Sequence, residues 1–160
     1  MSHLPIAIAV AVLGIAVGYF LLSRLGFLRP SQFKRKRLMT SNELEFFQRI
    51  RAAVPEFYIF PQVALRAFIE PPAARGSSAF MRQLKFIGSK HCDYLICDSN
   101  LSIVGIIELD DRSHNASLDA IRDKMTKSVG VSTLRYESAR RPNPAKIRSD
   151  LLGLLQGSGV

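Results

Sequence analysis

The first pattern along the chain is an uninterrupted run of apolar residues near its beginning. Residues 4–22, LPIAIAVAVLGIAVGYFLL, contain no charged side chain, and as a helix they would span about 28 Å, close to the hydrocarbon thickness of a bilayer. The run is apolar on every face, which disfavours a core helix of a soluble domain. The alternative of a cleaved signal peptide lacks preceding basic residues and a small-residue cleavage site. We therefore predict a retained transmembrane helix over residues 4–23.

Beyond residue 38, apolar positions at spacings of three and four predict three helices, over residues 40–54, 116–130 and 145–155. Pro55 ends the first of these helices, and Gly130 closes the second. The expected core faces of the first two helices are Leu44, Phe47, Ile50 and Val54 in one, and Leu118, Ile121, Met125 and Val129 in the other.

Segments rich in β-branched and aromatic residues predict four strands. The first covers residues 57–69, where Pro61 indicates a sheet edge or a bulge. Residues 92–98 and 100–110 form two more, joined as a hairpin by a turn at Asp98–Asn100. Residues 131–136 form the fourth. Residues 70–80 are predicted to be a loop, and residues 81–90 fit either a short helix or an irregular crossing.

This order of elements predicts an α/β domain over residues 38–155, built on a small mixed sheet with helices on both sides. Residues 24–37 form a basic linker in which Pro30 prevents continuation of the membrane helix. The linker carries six Lys and Arg residues, and the first acidic residue is Glu43. Because positive charge accumulates on the cytoplasmic flank of a membrane helix, we expect the N-terminus outside and the domain inside.

The formal net charge of +9 is less informative than it first looks. Six of the 22 Lys and Arg residues lie in the linker, where they suit anionic lipid, and the remaining 16 face 13 acidic residues. A nucleic-acid function must therefore rest on a site rather than on total charge. Cys92 and Cys97 are the only cysteines and lack the spacing of a zinc site, so we expect reduced thiols in the core.

Carboxylates collect where the two hairpin strands end. Glu108 and Asp110 share one side of their strand by alternation, and the hairpin brings Asp93 near them. Converging carboxylates repel one another unless a cation neutralises them, and hard oxygen ligands suit Mg²⁺ or Mn²⁺. The alternative is that Asp110 and Asp111 only form a turn and that His114 is an ordinary loop residue.

A resemblance gives these residues a context. The segments LMTSNELEFFQRIRAAV, KHCDYLICD, IIELDDRSH and RDKMTKSVGVSTLRY, within residues 38–137, resemble the bacterial family called domain of unknown function 2726. That family is similar in turn to the very-short-patch-repair endonuclease-like branch of the PD-(D/E)xK nucleases. The branch shows an E-x-D-G-x-x-H string, a helix with an Asp/Arg pair and a G-x-x-x-x-R strand. The matching residues here are Glu108, Asp110, His114, Arg122, Asp123, Gly130 and Arg135.

The resemblance implies a restriction-endonuclease-like fold and a metal-dependent DNA endonuclease, which the predicted N-terminal helix would hold at the bacterial inner membrane. It implies that Asp93, Glu108 and Asp110 bind Mg²⁺ or Mn²⁺, that Glu43 approaches them from the first helix, and that His114 is a general acid or base. Gln62, Arg122 and Lys127 become substrate-binding or supporting residues. Without the resemblance, Gln62 would satisfy a strand end, Arg122 and Asp123 would lie on a solvated helix face, and Arg135 would cap a strand.

The chain departs from the superfamily pattern at one position. The pattern ends in a lysine two residues after the second acid, and Asp110 stands there. Lys90, Lys124 or Lys127 could supply the ammonium from elsewhere. Equally, the fold could persist without the chemistry. Three functions therefore stay open: a DNA endonuclease, a non-catalytic domain that binds nucleic acid or protein at the inner membrane, and an anchored adaptor whose acidic cluster is structural.

Overall fold

A computed structural model of the protein describes residues 4–24, 33–111 and 116–157. These residues belong to two compact units, Met1–Lys36 and Arg37–Val160. The first unit holds helix α1, Leu4–Arg24, which agrees with the predicted bounds. Its segment Pro5–Arg24 has a mean hydropathy of 2.5, and none of it is buried in the protein. Helix α1 is thus long and apolar enough to cross a membrane.

The second unit is a four-stranded mixed sheet flanked by helices. Its remaining elements, in chain order, are α2 (Ser41–Ala53), β1 (Tyr58–Ala64), α3 (Ser78–Gly88), β2 (His91–Cys97), β3 (Ile103–Asp110), α4 (Ala116–Ser128), β4 (Thr133–Glu137) and α5 (Pro144–Gly157). The strand order is β1-β2-β3-β4. The first three strands are antiparallel, whereas β4 runs parallel to β3 after the α4 crossover. The predicted α/β class and mixed sheet are confirmed.

The predicted hairpin is also confirmed. Strands β2 and β3 pair with one shift in register between Ile96 and Cys97. Asp98 builds the turn, because its carboxylate accepts hydrogen bonds from the backbone N–H groups of Asn100 and Ser102, both at 2.8 Å. Strand β1 lies at the sheet edge, as Pro61 indicated.

Two segments differ from their predictions. The first strand ends at Ala64 rather than at residue 69, and Leu65–Ala67 forms a 3₁₀ turn instead. The ambiguous region before β2 is helix α3, which begins three residues inside the predicted loop. Ser77 caps it by accepting a hydrogen bond from the N–H of Phe80.

The apolar cores lie on the two faces of the sheet. Alternation along β2 and β3 directs Tyr94 and Ile107 toward α2 and α5, and Leu95 and Ile106 toward α3 and α4. The first core contains Phe46, Ile50, Tyr94, Ile107, Ile147 and Leu151, and the second contains Leu65, Ile87, Leu95 and Ile106 with Met125 packed against it. Both cysteines are buried free thiols, as expected.

The predicted core face of α2 is partly wrong. Ile50 and Val54 are fully buried as predicted, but Leu44 is 47% exposed, and Phe46 takes the inward position. Phe47 is only partly buried. Two apolar residues in succession left the sequence pattern ambiguous, and the sheet selected the face centred on Phe46 and Ile50.

The predicted core face of α4 is wrong at two of its positions. Ile121 is 43% exposed and Val129 is 45% exposed, whereas Met125 packs against the core. The side chain of Leu118 lies outside the described part of the chain. The inward positions belong instead to Arg122 and buried Thr126, since the sheet beneath this helix carries a buried carboxylate. Helix α4 is therefore turned so that a polar stripe faces the sheet.

The contact of α5 with β3 predicts opposite effects for two glycine substitutions. A Cβ at Gly105 would lie 3.0 Å from Leu154 Cδ1 and 3.2 Å from the carbonyl oxygen of Ser132, so Gly105→Ala should destabilise the domain by about 1–3 kcal/mol. Gly153, inside α5, has no atom within 4 Å of the position that a Cβ would occupy, so Gly153→Ala should stabilise by roughly 0.5–1 kcal/mol. Urea denaturation of the full chain in detergent measures the free energy of unfolding of both variants. Two changes of the same sign would contradict this packing.

Candidate functional site

The site centres on two carboxylates that face each other across the β2–β3 hairpin. Tyr94 pairs with Ile107, so the ladder sets Asp93 against Glu108 one residue further on. The backbone N–H of Leu109 donates to Asp93 Oδ2 at 2.9 Å, which holds the Asp93 side chain against β3. Both carboxylates lie on the sheet face that α3 and α4 cover. The hairpin therefore brings together the two residues that the sequence placed near its open end.

Burial dominates the electrostatics of this pair. Glu108 is only 2% exposed, and burial followed by the nearby negative charge of Asp93 raises the pKa of Glu108 to about 8, against the opposing charges of Arg122 and Arg135. Burial also raises the pKa of Asp93. The hydrogen bond from Leu109 lowers this pKa, and the negative charge of Glu43 raises it further. A proton or a cation at this pair is consequently favoured near neutral pH.

Arg122 meets the pair from α4. Its Nη2 lies 3.4 Å from Glu108 Oε2, and its Nη1 donates to the backbone carbonyl of His91 at 3.4 Å. The side chain is 18% exposed, so the alternative of a solvated helix face is wrong for Arg122. The resemblance placed this residue at the site, and the geometry does the same.

Asp110, the third predicted ligand, is engaged by an arginine from β4. Arg135 pairs with Glu108 in the parallel ladder, and its Nη1 lies 2.8 Å from Asp110 Oδ1. The same guanidinium makes two hydrogen bonds to Asp123, at 2.8 and 3.2 Å. Arg135 is thus an inward residue of β4 that joins β3 to α4, and the alternative of a strand cap is wrong.

Arg135 has a larger part in the site than its sequence context indicated. Only the resemblance pointed to this residue, and it gave Arg135 no role among the site residues. The available signal was alternation in TLRYE, which places an arginine on the same side of β4 as Glu108 on its neighbour. Burial by itself would lower the pKa of Arg135, but the hydrogen bond to Asp123 and the charge of Asp110 outweigh burial and raise it.

Glu43 and Gln62 lie at the margin of the site. Glu43 completes a capping box with Thr40 at the start of α2, and its Oε1 accepts a hydrogen bond from Gln62 Nε2 at 3.0 Å. Gln62 has φ +54°, an uncommon conformation for a residue with a side chain. It sits between the Pro61–Tyr94 and Val63–Cys92 pairs, beside Asp93. The strained backbone of the edge strand therefore lies at the residue that donates a hydrogen bond to Glu43.

The remaining predicted residues lie elsewhere. His114 is outside the described residues. Lys127 is exposed on α4, about 140° around the helix from Arg122. Lys124 is also exposed, and Lys90 lies over the ring of Phe86 at 5.4 Å. Across the described ranges, none of these three lysines forms an ion pair with the site carboxylates, so Arg122 is the cation in contact with Glu108.

The donor set fits a metal ion only in part. Among residues 4–24, 33–111 and 116–157, no group of three His, Cys, Asp or Glu side chains is arranged to hold one. Asp93 and Glu108 form a facing pair of oxygen donors whose mutual repulsion a divalent cation would relieve. Asp110 would have to exchange Arg135 for the ion. The magnesium or manganese site of Asp93, Glu108 and Asp110 therefore stays a prediction.

A cavity opens beside Asp110, where the parallel strands β3 and β4 end. Its volume is about 530 Å³, and its lining includes Asp110, Asp111, Glu137 and Arg140. Crevices at the carboxyl ends of parallel strands are frequent ligand sites in α/β proteins. Exposed Asp111 follows β3 directly and lines this cavity rather than joining the buried pair.

The raised pKa of Glu108 predicts how stability depends on pH. Native Glu108 keeps a proton that the unfolded chain releases near pH 4.5, so its contribution is complete below pH 4.5 and is lost as pH rises toward 8. The free energy of unfolding should fall by up to about 1.4 kcal/mol per pH unit in that window. Glu108→Gln should flatten the curve measured by urea denaturation. Glu56→Gln is the control, since the pKa of exposed Glu56 is lowered. Parallel wild-type and Glu108→Gln curves would contradict this prediction.

Comparison with known proteins identifies the family but no activity. A protein from Haemophilus influenzae (strain ATCC 51907 / DSM 11121 / KW20 / Rd), described as an uncharacterized protein, is 30% identical over 131 residues. The match covers 77% of this chain and 63% of that relative, so the chain spans less than two thirds of the relative's length. No solved structure matches. The family described as "Protein of unknown function (DUF2726)" matches residues 35–154, and the chain belongs to this family.

Proposed function

We propose that this protein is a membrane-anchored endonuclease that hydrolyses phosphodiester bonds of DNA, with a restriction-endonuclease-like fold. The observation that carries the proposal is the facing pair of carboxylates, buried Glu108 and half-buried Asp93, with Arg122 and Arg135 nearby. Perturbed pKa values in a cluster of this kind are typical of catalytic sites. The resemblance to the very-short-patch-repair endonuclease-like branch supplies the reaction.

The spatial arrangement supports that resemblance. Its three motifs are far apart in sequence: the string with Glu108 and Asp110, the helix with Arg122 and Asp123, and the strand with Arg135. Ion pairs join all of them, through Arg122 to Glu108 and through Arg135 to both Asp110 and Asp123. A set of residues that only decorated separate surfaces would not form one network.

Each member of the network has a chemical task in the proposed hydrolysis. His114, the general acid or base that the resemblance implies, would accept a proton from the attacking water. Arg122 donates hydrogen bonds toward the phosphoryl oxygens, as guanidinium groups do at phosphate sites. Asp93 and Glu108 would hold Mg²⁺ or Mn²⁺, which supplies Lewis-acid activation of water. Gln62 positions Glu43 beside Asp93. Arg135 fixes Asp110.

A second function is favoured by one specific observation. Asp110 stands where the superfamily has its lysine, and Arg135 already neutralises it. Arg122 likewise neutralises Glu108. A network in which each carboxylate is paired with an arginine can stabilise a fold without catalysing a reaction. The alternative is therefore a catalytically inactive nuclease-fold domain that binds nucleic acid or protein at the inner membrane.

A cleavage assay separates the two functions. The full chain, purified in detergent, should nick or cut DNA with Mg²⁺ or Mn²⁺, and Glu108→Gln and Asp93→Asn should each reduce the rate by about 10²-fold or more. Glu70→Gln removes an exposed carboxylate that pairs with Arg75 and is the matched control. Metal should also raise the unfolding temperature of the wild type and not of the two site variants. Cleavage that survives in both site variants would exclude this centre.

We also propose that α1 anchors the domain in the bacterial inner membrane with the N-terminus outside. The apolar helix and the basic residues 24–37 support this orientation. Green fluorescent protein fused to the C-terminus should be fluorescent in a bacterial host, and alkaline phosphatase at the same position should be inactive. The reverse pair of results would place the domain outside, where reduced Cys92 and Cys97 would also be unexpected.

A further inference from the structure

A second surface of the domain carries several positive charges. A groove of about 810 Å³ lies between the 3₁₀ turn and α3, with Arg66, Arg82 and Lys85 along it and Met81 and Leu84 in its lining. We call these three cations and their surroundings the basic groove. None of the described residues that line the groove is acidic. Arg82 and Lys85 share one face of α3 because they are three residues apart.

The three cations are available for a ligand. All of them are exposed, and within the described ranges no carboxylate lies at ion-pair distance from any of them. Other exposed cations of the domain, such as Arg51, Lys124 and Lys127, also form no ion pair within the described residues, and the basic groove differs from them because its three cations line one surface. Positive charge is thus left uncompensated in a concave surface, which attracts anions.

The basic groove lies on the side of the sheet that carries the carboxylate pair. Leu65 of the 3₁₀ turn and Ile87 of α3 pack in the same core as Leu95 and Ile106, which share the sheet face of Asp93 and Glu108. The N–H of Leu65 donates to the carbonyl of Lys90 at 2.9 Å, immediately before β2 begins. The groove and Asp93 are therefore at the same end of β1 and β2.

Arg66 connects the turn to α3. The position that a Cβ on Gly88 would occupy is 3.2 Å from Arg66 Cδ, so the aliphatic part of Arg66 lies against the helix at its glycine. Arg66 thus lines the same groove as Arg82 and Lys85, and several positive charges along one groove suit the repeating phosphates of a nucleic-acid strand.

We propose that the basic groove binds the phosphate backbone of DNA and leads the strand to Asp93 and Glu108. The inference rests on the proposed nuclease function, because it assigns the path of that function's substrate. DNA fits better than a lipid surface, since the groove is concave and lies at the same end of β1 and β2 as Asp93. The basic linker, residues 24–37, already provides charge next to the membrane helix.

The test measures DNA binding by the full chain in phosphatidylcholine nanodiscs, with EDTA present so that no bond is cleaved. The groove variant is Arg66→Gln, Arg82→Gln and Lys85→Gln together. The control variant, Lys34→Gln, Lys36→Gln and Arg51→Gln together, removes the same charge from exposed positions elsewhere. Loss of up to three phosphate contacts should reduce the slope of log affinity against log salt concentration by about 2–3 in the groove variant only.

Three results would contradict the proposal that the groove binds DNA. They are no DNA binding by the wild type at low salt, equal slopes in the wild type and the groove variant, or an equal reduction of the slope in the control variant. Retained melting temperatures show that the variants fold. The outcome is separable from the nuclease proposal. If the chain binds DNA through the groove but does not cleave it, the groove proposal stands and the nuclease proposal fails. If the chain cleaves DNA without needing the three cations, the nuclease proposal stands and the groove proposal fails.

A labelled cysteine distinguishes DNA from lipid as the occupant. Cys92 and Cys97 are buried, so Met81→Cys supplies an accessible thiol at the groove for a fluorescent dye. DNA should change the fluorescence of this dye in neutral nanodiscs. Quenching by spin-labelled phosphatidylglycerol, together with no response to DNA, would show that the groove lies on the membrane and would refute the proposal.

Discussion

The burial of the Glu108 carboxylate in the middle of the sheet sets the conditions for much of the domain. A lone buried carboxylate is costly, and the cost is met either by protonation or by nearby positive charge. This protein uses both, since the pKa of Glu108 is raised while Arg122 and Arg135 approach from α4 and β4. Asp93 intensifies the constraint because its negative charge faces the same position. A core built only to be stable would place an apolar residue there.

The same constraint explains why α4 differs from an ordinary amphipathic helix. Its inward stripe contains Arg122 and buried Thr126 beside the apolar Met125, whereas Ile121 is 43% exposed. Asp123 on this helix then receives Arg135, which ties β4 to α4 and also holds Asp110. The parallel strand pair, the crossover helix and the charged network are therefore one structural unit. The opposite face of the sheet, against α2 and α5, has the conventional apolar core.

Strain and charge are both concentrated near this unit. Gln62 holds a left-handed conformation in an edge strand and hydrogen-bonds to Glu43, whose charge raises the pKa of Asp93. Conformations of that kind persist where the surrounding structure fixes them, and they cluster at functional sites. The basic groove lies at the same end of β1 and β2. Carboxylates, cations and strain thus lie at one end of a small sheet, and each face of the sheet keeps an apolar core.

Local pattern in the sequence determined the apolar N-terminal helix, the α/β class, the edge position of β1 and the hairpin that brings Asp93 to Glu108. Each of these depends on residues close together in the chain: an unbroken apolar run, a proline, a turn sequence and strict alternation. Tertiary structure alone decided which face of α2 and α4 is buried, because the answer depends on the surface of the sheet. It also decided that Asp110 binds Arg135 rather than standing free beside Glu108. That choice depends on a parallel pairing across 25 residues, which no local pattern encodes.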